Sequence, residues 1–254
     1  MFNWFKKNIN KVEMVPASSC VRPDDLAYNF VYVVAHQLKT PLTALKWSLE
    51  LLDHDEIQNE LDRKKLYLKM HEATVHAVHL VDDMMNAYKL ESGKMPFDFE
   101  ENPNPIDLIN RTILEVRPLM DRKKISLETK LVQGSFGTLF IDPDKFQDVI
   151  QNLLDNAIRY TQVAGKIFIS CEPKADGIVV EVRDNGIGIP EEAKPRIFEK
   201  FYRSPKAVEM VNNGTGLGLF MAREIVNGHG GKIWFTSTEG KGTSFFVALP
   251  YKKK

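Results

Sequence analysis

From about Asp24 to Leu90 the apolar residues return at steps of three and four, and almost no glycine or proline interrupts them. Ala27, Val31, Val34 and Leu38 begin one such ladder, and Leu42, Leu45, Leu49 and Leu52 continue it. Leu66, Met70, Ala73, Ala77, Leu80, Met84 and Ala87 form a second. Steps of this kind gather side chains on one face of an α-helix, so the pattern predicts two helices. The first opens near Pro23, with Asp24 and Asp25 where the helix dipole favours negative charge. A polar stretch from His54 to Asn59 makes the turn. Two antiparallel helices cannot cover both of their own apolar stripes. A second copy would complete a four-helix bundle, so a homodimer is expected.

The pattern changes after Pro103. Helical segments now alternate with short β-type runs, and glycine-rich turns crowd the end of the chain. A helix is expected from Pro105 to about Lys123 and a strand from Ile125 to Leu131. A second helix runs from Asp142-Pro143 to Tyr160, and strands cover Lys166 to Cys171 and Ile178 to Arg183. A third helix spans Gly218 to Asn227, and a hairpin of Lys232 to Ser237 with Thr243 to Ala248 closes the domain. The fold class is therefore α+β: an N-terminal antiparallel helical hairpin followed by an α/β sandwich with helices on one face of a mixed sheet. The expected division is a tail over 1–23, the hairpin over 24–92, a linker over 93–104 and a C-terminal domain over 105–254.

Composition narrows the function. Lysine plus arginine and aspartate plus glutamate are equal at 34 each, so no basic field marks a nucleic-acid partner. Cys20 and Cys171 are far apart and form no CxxC pair, which suits a reducing compartment without a zinc site. No run reaches the roughly 18 apolar residues of a membrane span. The expected location is the cytoplasm, either as a free protein or as the cytoplasmic part of a membrane receptor. Any membrane association would then come through a separate region. Phe2, Trp4, Phe5 and Ile9 among Lys6, Lys7 and Lys11 can make a short surface anchor, but a frayed tail or linker stub is the preferred reading for so short a segment.

The chemistry concentrates in two places. His36 stands inside the first helix, in Ala35-His36-Gln37-Leu38-Lys39-Thr40-Pro41-Leu42, roughly opposite Leu38 and toward solvent. Pro41 should kink the helix one turn later. A neutral imidazole is a usable nucleophile near neutral pH. His71, His76 and His79 read as surface residues, because His76 and His79 have no evident third ligand.

The second place is assembled from distant segments. Asn152 and Asn156 share a helical face and offer two amide oxygens of the kind magnesium accepts, with Arg159 on the next turn for phosphate. Asp184, at a strand end before Gly186 and Gly188, can accept the amino hydrogens of adenine and would repel the oxygen of guanine. Gly214, Gly216 and Gly218 lead into a helix whose free N–H groups can hold phosphate. Lys200 and Arg203 supply cations beside Phe198, Phe201 and Tyr202, and Thr243 follows Gly240 and Gly242. Taken singly these glycine segments are weak signals. They complete neither a Walker A motif nor a dinucleotide fingerprint.

Together, and in this order, the segments resemble the phospho-acceptor box and the N, G1, F, G2 and G3 boxes of sensor histidine kinases, over about Asp24 to Pro250. The resemblance implies the Bergerat-type sandwich shared with DNA gyrase, Hsp90 and MutL, with ATP and Mg2+ as cofactors. It implies that His36 accepts the phosphoryl group and that Thr40 orients water for dephosphorylating a response regulator receiver domain. Asn156 with Asn152 would bind magnesium, Arg159 would contact phosphate, and Tyr160 would flank the base that Asp184 reads. Lys200 and Arg203 would face the phosphates, Gly214, Gly216, Leu217 and Gly218 would end the lid, and Thr243 would support the adenine end. The family usually has an acid directly after the histidine, and this chain has Gln37, whose amide is no useful base. Slower autophosphorylation is expected, in a two-component protein whose balance can tilt toward phosphatase. Two rivals stand beside this reading: an ATP-gated scaffold with a silent histidine, and an ATPase of the gyrase or chaperone type.

Overall fold

The computed structural model describes residues 23–53, 59–132, 137–211 and 214–252. The N-terminal tail with its aromatic segment and Cys20, and most of the expected turn at His54 to Asn59, lie outside the described residues. So do the side chains of Ala27, Val31 and His36.

Helix α1 (Pro23–Asp53) and helix α2 (Glu60–Glu91) form the hairpin. Asn59 caps α2, its side-chain oxygen accepting the Leu61 N–H at 2.9 Å. α1 stays helical through Pro41. The face it buries differs from the expected one beyond that point. Pro41 and Ser48 are buried and Leu45 and Leu52 half-buried, whereas Leu42 and Leu49 are 55% and 52% exposed. The ladder Val34, Leu38, Pro41, Leu45, Ser48, Leu52 keeps the alternating four-three step that holds one face toward one neighbour. The ladder through Leu42 and Leu49 takes two fours in succession and drifts off that face. Trp47, Leu68, Val75, Val78 and Met85 are also exposed along the hairpin.

The C-terminal domain is a five-stranded sheet covered on one face by helices. Strands β2 (Ser126–Leu131), β4 (Lys166–Lys174), β5 (Gly177–Asp184), β6 (Lys232–Thr238) and β7 (Gly242–Pro250) lie in the order β2-β4-β5-β7-β6. Among the described residues only β2 and β4 pair in parallel. A two-residue ladder, β1 (Glu100–Glu101) with β3 (Phe140–Ile141), was not expected from the sequence. The core comes from helix α3 (Pro105–Arg122) through Ile109, Val116 and Met120, and from helix α4 (Pro143–Tyr160) through Ile150, Leu153 and Leu154. Sheet residues Ile167, Ile169, Val180, Val182 and Val247 meet them. Alternate residues of β4 and β5 point into this core, the period of two that a half-covered sheet requires. A 3-10 turn (Glu191–Arg196), a short helix α5 (Pro205–Met210) and helix α6 (Gly218–Gly228) complete the domain.

Two devices fix α4, the helix that carries most of the site. At its start Asp142 caps the Lys145 N–H at 3.0 Å through one oxygen and receives the Asp98 N–H at 2.8 Å through the other. The Asp142 N–H donates to Nε2 of buried His229 at 3.1 Å, and Nδ1 of that ring meets the Ile225 carbonyl at 2.8 Å. Phe97 and Phe99 stack on each other and set their edges against the His229 ring. Residues 97–99 are thereby pinned to the domain, while Gly93, at φ +64, closes the end of α2 by donating its N–H to the Leu90 carbonyl at 3.1 Å. At the far end Lys123 donates to the carbonyls of Ile158, Arg159 and Thr161 at 2.8, 3.0 and 3.1 Å. One ammonium thus satisfies three carbonyls at the negative end of α4. Lys123→Met should cost about 1–2 kcal/mol, read as a lower Tm of the domain, and Lys123→Arg should recover part of the loss.

Candidate active site

A cleft of about 870 Å3 opens between α4, the glycine segments and the side of α2. From α4 it is lined by Asn152, Asn156, Arg159 and Tyr160, from the end of β5 by Asp184, and from the loops by Gly188, Arg203, Gly214, Gly216 and Gly218. Thr243 of β7 closes the floor beside Asp184. Residues separated by up to about ninety positions therefore meet in one wall, because β5 and β7 are neighbours and α4 crosses above them.

Asp184 is buried, and that burial sets its chemistry. Its Oδ1 accepts the Gly186 N–H at 2.8 Å. Burial pushes its pKa up to about 6, with hydrogen bonds from the Gly186 and Thr243 backbones acting in the opposite direction. Gly186 does not line the cleft; it holds the carboxylate. A Cβ there would stand 2.3 Å from the Tyr160 carbonyl, which also receives the Ile187 N–H at 3.2 Å. Only glycine lets the loop close on the end of α4.

The other end of the cleft is rich in oxygen. Asn152 donates through Nδ2 to the Asp148 carbonyl at 2.8 Å, and its Oδ1 lies where a Cβ on Gly218 would come within 2.6 Å. Gln151 donates to Asp155 at 3.2 Å, and its Oε1 is buried with no hydrogen-bond partner among the described residues. Burial raises the carboxyl pKa values of Asp148 and Asp155, with Arg159 opposing the rise at Asp155. This donor set, amide oxygens beside carboxylates with one oxygen orphaned, fits magnesium, which takes oxygen ligands together with phosphate and water. Gln151 and Asp155 were missed from the sequence, although Asp148, Asn152, Asp155, Asn156 and Arg159 form one polar stripe along α4.

Two expected residues stand outside the cleft, and a third lines it with its guanidinium turned to backbone carbonyls. Lys200 is not in the cleft wall; its ammonium is 2.6 Å from Glu91 at the end of α2. Leu217 is fully buried among Leu80, Met84, Ala87, Phe220 and Met221, so it joins the domain to the hairpin. Arg203 lines the cleft but donates to the carbonyls of Ala207 at 2.9 Å and of Val211. Gly216, at φ +69, accepts the Phe201 N–H at 2.9 Å and sits too close to Phe201 to carry a Cβ. On the hairpin, Val34 and Leu38, which flank the backbone of His36, pack against the Leu217 cluster. Gln37 is half-buried and Thr40 exposed.

The geometry agrees with the comparisons. Residues 141–253 match the model of the histidine kinase-, DNA gyrase B- and HSP90-like ATPase family, and residues 28–93 match the His Kinase A phospho-acceptor domain. With both domains in tandem, the chain belongs to the sensor histidine kinases, as their catalytic core. The sensor protein kinase WalK of Staphylococcus aureus is 32% identical over 231 residues, covering 87% of this chain and 53% of that protein. The chain spans 36% of WalK from strain JH9. Among solved structures, the catalytic domain of histidine kinase ThkA is 31% identical over 61% of this chain and 98% of its own, with a TM-score of 0.53. Acinetobacter baumannii histidine kinase AdeS shares the fold over 86% of this chain and 98% of its own, at 24% identity and a TM-score of 0.67. Among the described residues no helix is long and apolar enough to cross a membrane.

Asp184 generates a pH prediction. With its carboxyl titrating near 6 in the free protein, the acceptor form is lost as pH falls through that value. Adenine nucleotide affinity should therefore drop about tenfold between pH 7.5 and pH 5. Titration calorimetry checks this, and the Asp184→Asn variant should bind weakly with a flat profile.

Proposed function

We propose that the chain is an ATP-dependent protein-histidine autokinase that phosphorylates His36 and passes the phosphoryl group to an aspartate of a response regulator. The observation that carries this reading is the continuity of the nucleotide cleft with the hairpin. The segment that ends the lid, Thr215 to Leu217, runs directly into the contact with α2, and Val34 and Leu38 of the His36 helix join that contact. ATP-binding chemistry and a phospho-acceptor helix are thus held side by side.

In the reaction a ring nitrogen of His36 attacks the γ-phosphorus. A P–N bond forms, the bond to the β-phosphate oxygen breaks, and ADP leaves. Positioning and charge neutralisation supply most of the catalysis in such transfers. Asp184 and Thr243 would seat the adenine, Tyr160 would flank it, and Arg159 with the Gly214 to Gly218 backbone would face the phosphates. Asn156 and Asn152 would hold magnesium, which when bound neutralises charge on the phosphate oxygens. Gln37 takes the place of an acid that would accept the ring proton, so the step is slow, and hydrolysis of the regulator's aspartyl phosphate by a water that Thr40 would orient, releasing inorganic phosphate, weighs more. The exposed Leu42, Trp47, Leu49, Val78 and Met85 support a homodimer with a four-helix core. A receiver-domain partner is supported by the similarity in fold to ThkA, solved in complex with the response regulator protein TrrA (TM-score 0.69, 22% identity). The proposed division is a tail over 1–23, the phosphotransfer hairpin over 24–92, a linker over 93–104 and the ATP-binding domain over 105–254.

Incubation with γ-labelled ATP tests the reading. The protein should take up acid-labile, base-stable label that disappears in His36→Ala and accumulates several times faster in Gln37→Glu. Label that survives His36→Ala, or steady phosphate release with no labelled protein, contradicts an autokinase. An unchanged or slower rate in Gln37→Glu contradicts the role given to the amide.

A further inference from the structure

Two groups of the catalytic domain, Thr215 in the cleft wall and Lys200 outside it, are engaged by carboxylates of the hairpin. The Lys200 ammonium pairs with Glu91 at 2.6 Å and lies 5.3 Å from the centre of the Phe220 ring. The Thr215 hydroxyl, between Gly214 and Gly216, donates to Asp83 Oδ2 at 3.2 Å and accepts the Leu217 N–H at 3.1 Å. Asp83 itself lines the cleft, in the wall opposite Asn152, Asp155 and Arg159. The Arg159 charge acts on it, favouring its ionised form against the effect of burial.

The arrangement along α2 is regular. Asp83 and Glu91 are eight residues apart, about two turns and ~12 Å on one side of the helix. Between them Met84 and Ala87 pack against Leu217, Phe220 and Met221. An apolar contact is thus flanked by two carboxylates: Asp83 holds the hydroxyl between the glycines of the cleft wall, and Glu91 holds the ammonium that the resemblance to histidine kinases assigns to phosphate. A carboxylate offers what a phosphate oxygen offers: negative charge and acceptor lone pairs, with no donor.

We propose that Asp83 and Glu91 stand in for nucleotide phosphate, holding Thr215 and Lys200 against the hairpin until the phosphates of bound MgATP displace them and free the catalytic domain to move. The proposal rests on the ATP-binding reading given above. It makes the hairpin a competitor of its own substrate. Phosphate reaches Lys200 and Thr215 as the Lys200–Glu91 ion pair and the Thr215–Asp83 hydrogen bond yield, and the apolar contact remains as the surface on which the domain turns. The direction of coupling follows from charge alone. Removing the carboxylates removes the competitor for phosphate and leaves the adenine end untouched.

The test uses the full chain and two probes, magnesium AMP-PNP and adenosine. Asp83→Asn with Glu91→Gln changes charge but hardly changes shape. The double variant should bind AMP-PNP about five- to tenfold tighter than the wild type, as expected for the loss of one partly exposed ion pair and one hydrogen bond to a charged group. Adenosine affinity should stay within about twofold. Unchanged or weaker AMP-PNP binding, or an equal gain for adenosine, overturns the latch. A second measurement needs no variant: amide exchange over Leu80 to Glu91 of the wild type should accelerate with AMP-PNP and not with adenosine. Exchange that is unchanged or slowed by AMP-PNP also overturns it. Wild-type protein that binds neither probe removes the ATP-binding reading and the latch together, whereas normal wild-type binding without these differences removes the latch alone.

Discussion

A carboxylate buried at the end of a central strand is the constraint around which the catalytic domain is built. Ionised Asp184 is costly to bury without donors, and the chain supplies two, the backbone N–H groups of Gly186 and Thr243. The first requires a loop that closes on the Tyr160 carbonyl with no side chain in the way. The second requires β7 to lie directly beside β5. Together they fix the strand order at the centre of the sheet and the height at which α4 ends above it. The carboxyl is still held well above its ordinary range, so in the empty protein its ionisation opposes folding as pH rises from about 4 through 6. Adenine amino hydrogens would supply the donors that offset this cost, which ties the stability of the fold to its proposed ligand.

The rest of the site is organised by α4. Its start is fixed by Asp142 and its end by Lys123, so its polar stripe presents to the cleft at a set angle while Ile150, Leu153 and Leu154 anchor the opposite face. The glycines of 214–218 feed α6, whose Phe220 and Met221 contact the hairpin while Leu219 packs on the sandwich core. The glycine segment and α2 are therefore in direct contact, through Thr215 on Asp83 and Leu217 among Leu80, Met84 and Ala87. Gly93 turns the chain out of α2 with its N–H on the Leu90 carbonyl, and Phe97 and Phe99 then hold the connection against His229 of the domain.

The periodicity of the hydrophobic residues was enough to read both hairpin helices, the three long helices of the domain and its five main strands. Those signals are local, and caps such as Asn59 and Asp142 mark the ends. The phase of α1 beyond Leu38 was misread because leucine is a stronger apolar signal than proline or serine, although helix geometry favours Pro41 and Ser48 on the buried face. The spacing of Asn152 and Asn156 and the strand-end position of Asp184 announced the cleft. What the sequence could not give was the partner of each charged group across the domain boundary. Nothing local distinguishes Asp83 from Asp82, or assigns Lys200 to Glu91 rather than to phosphate. Leu217 was read with the lid because it lies among its glycines, yet its apolar side chain belongs to the hairpin contact. The ladder of β1 with β3 and helix α5 were too short to leave a periodic trace.

Base selection tests the account most directly, because it follows from the acceptor-only character of Asp184 and from nothing else in the site. ATP and GTP carry identical phosphates and differ at the edge this carboxylate would meet. Titration calorimetry of the full chain with each nucleotide and magnesium at pH 7.5 should give binding of ATP and at least about a hundredfold weaker binding of GTP, the scale of penalty for setting an acceptor against a buried carboxylate. Equal affinities would contradict the placement of the base at Asp184 and the mechanism built on it.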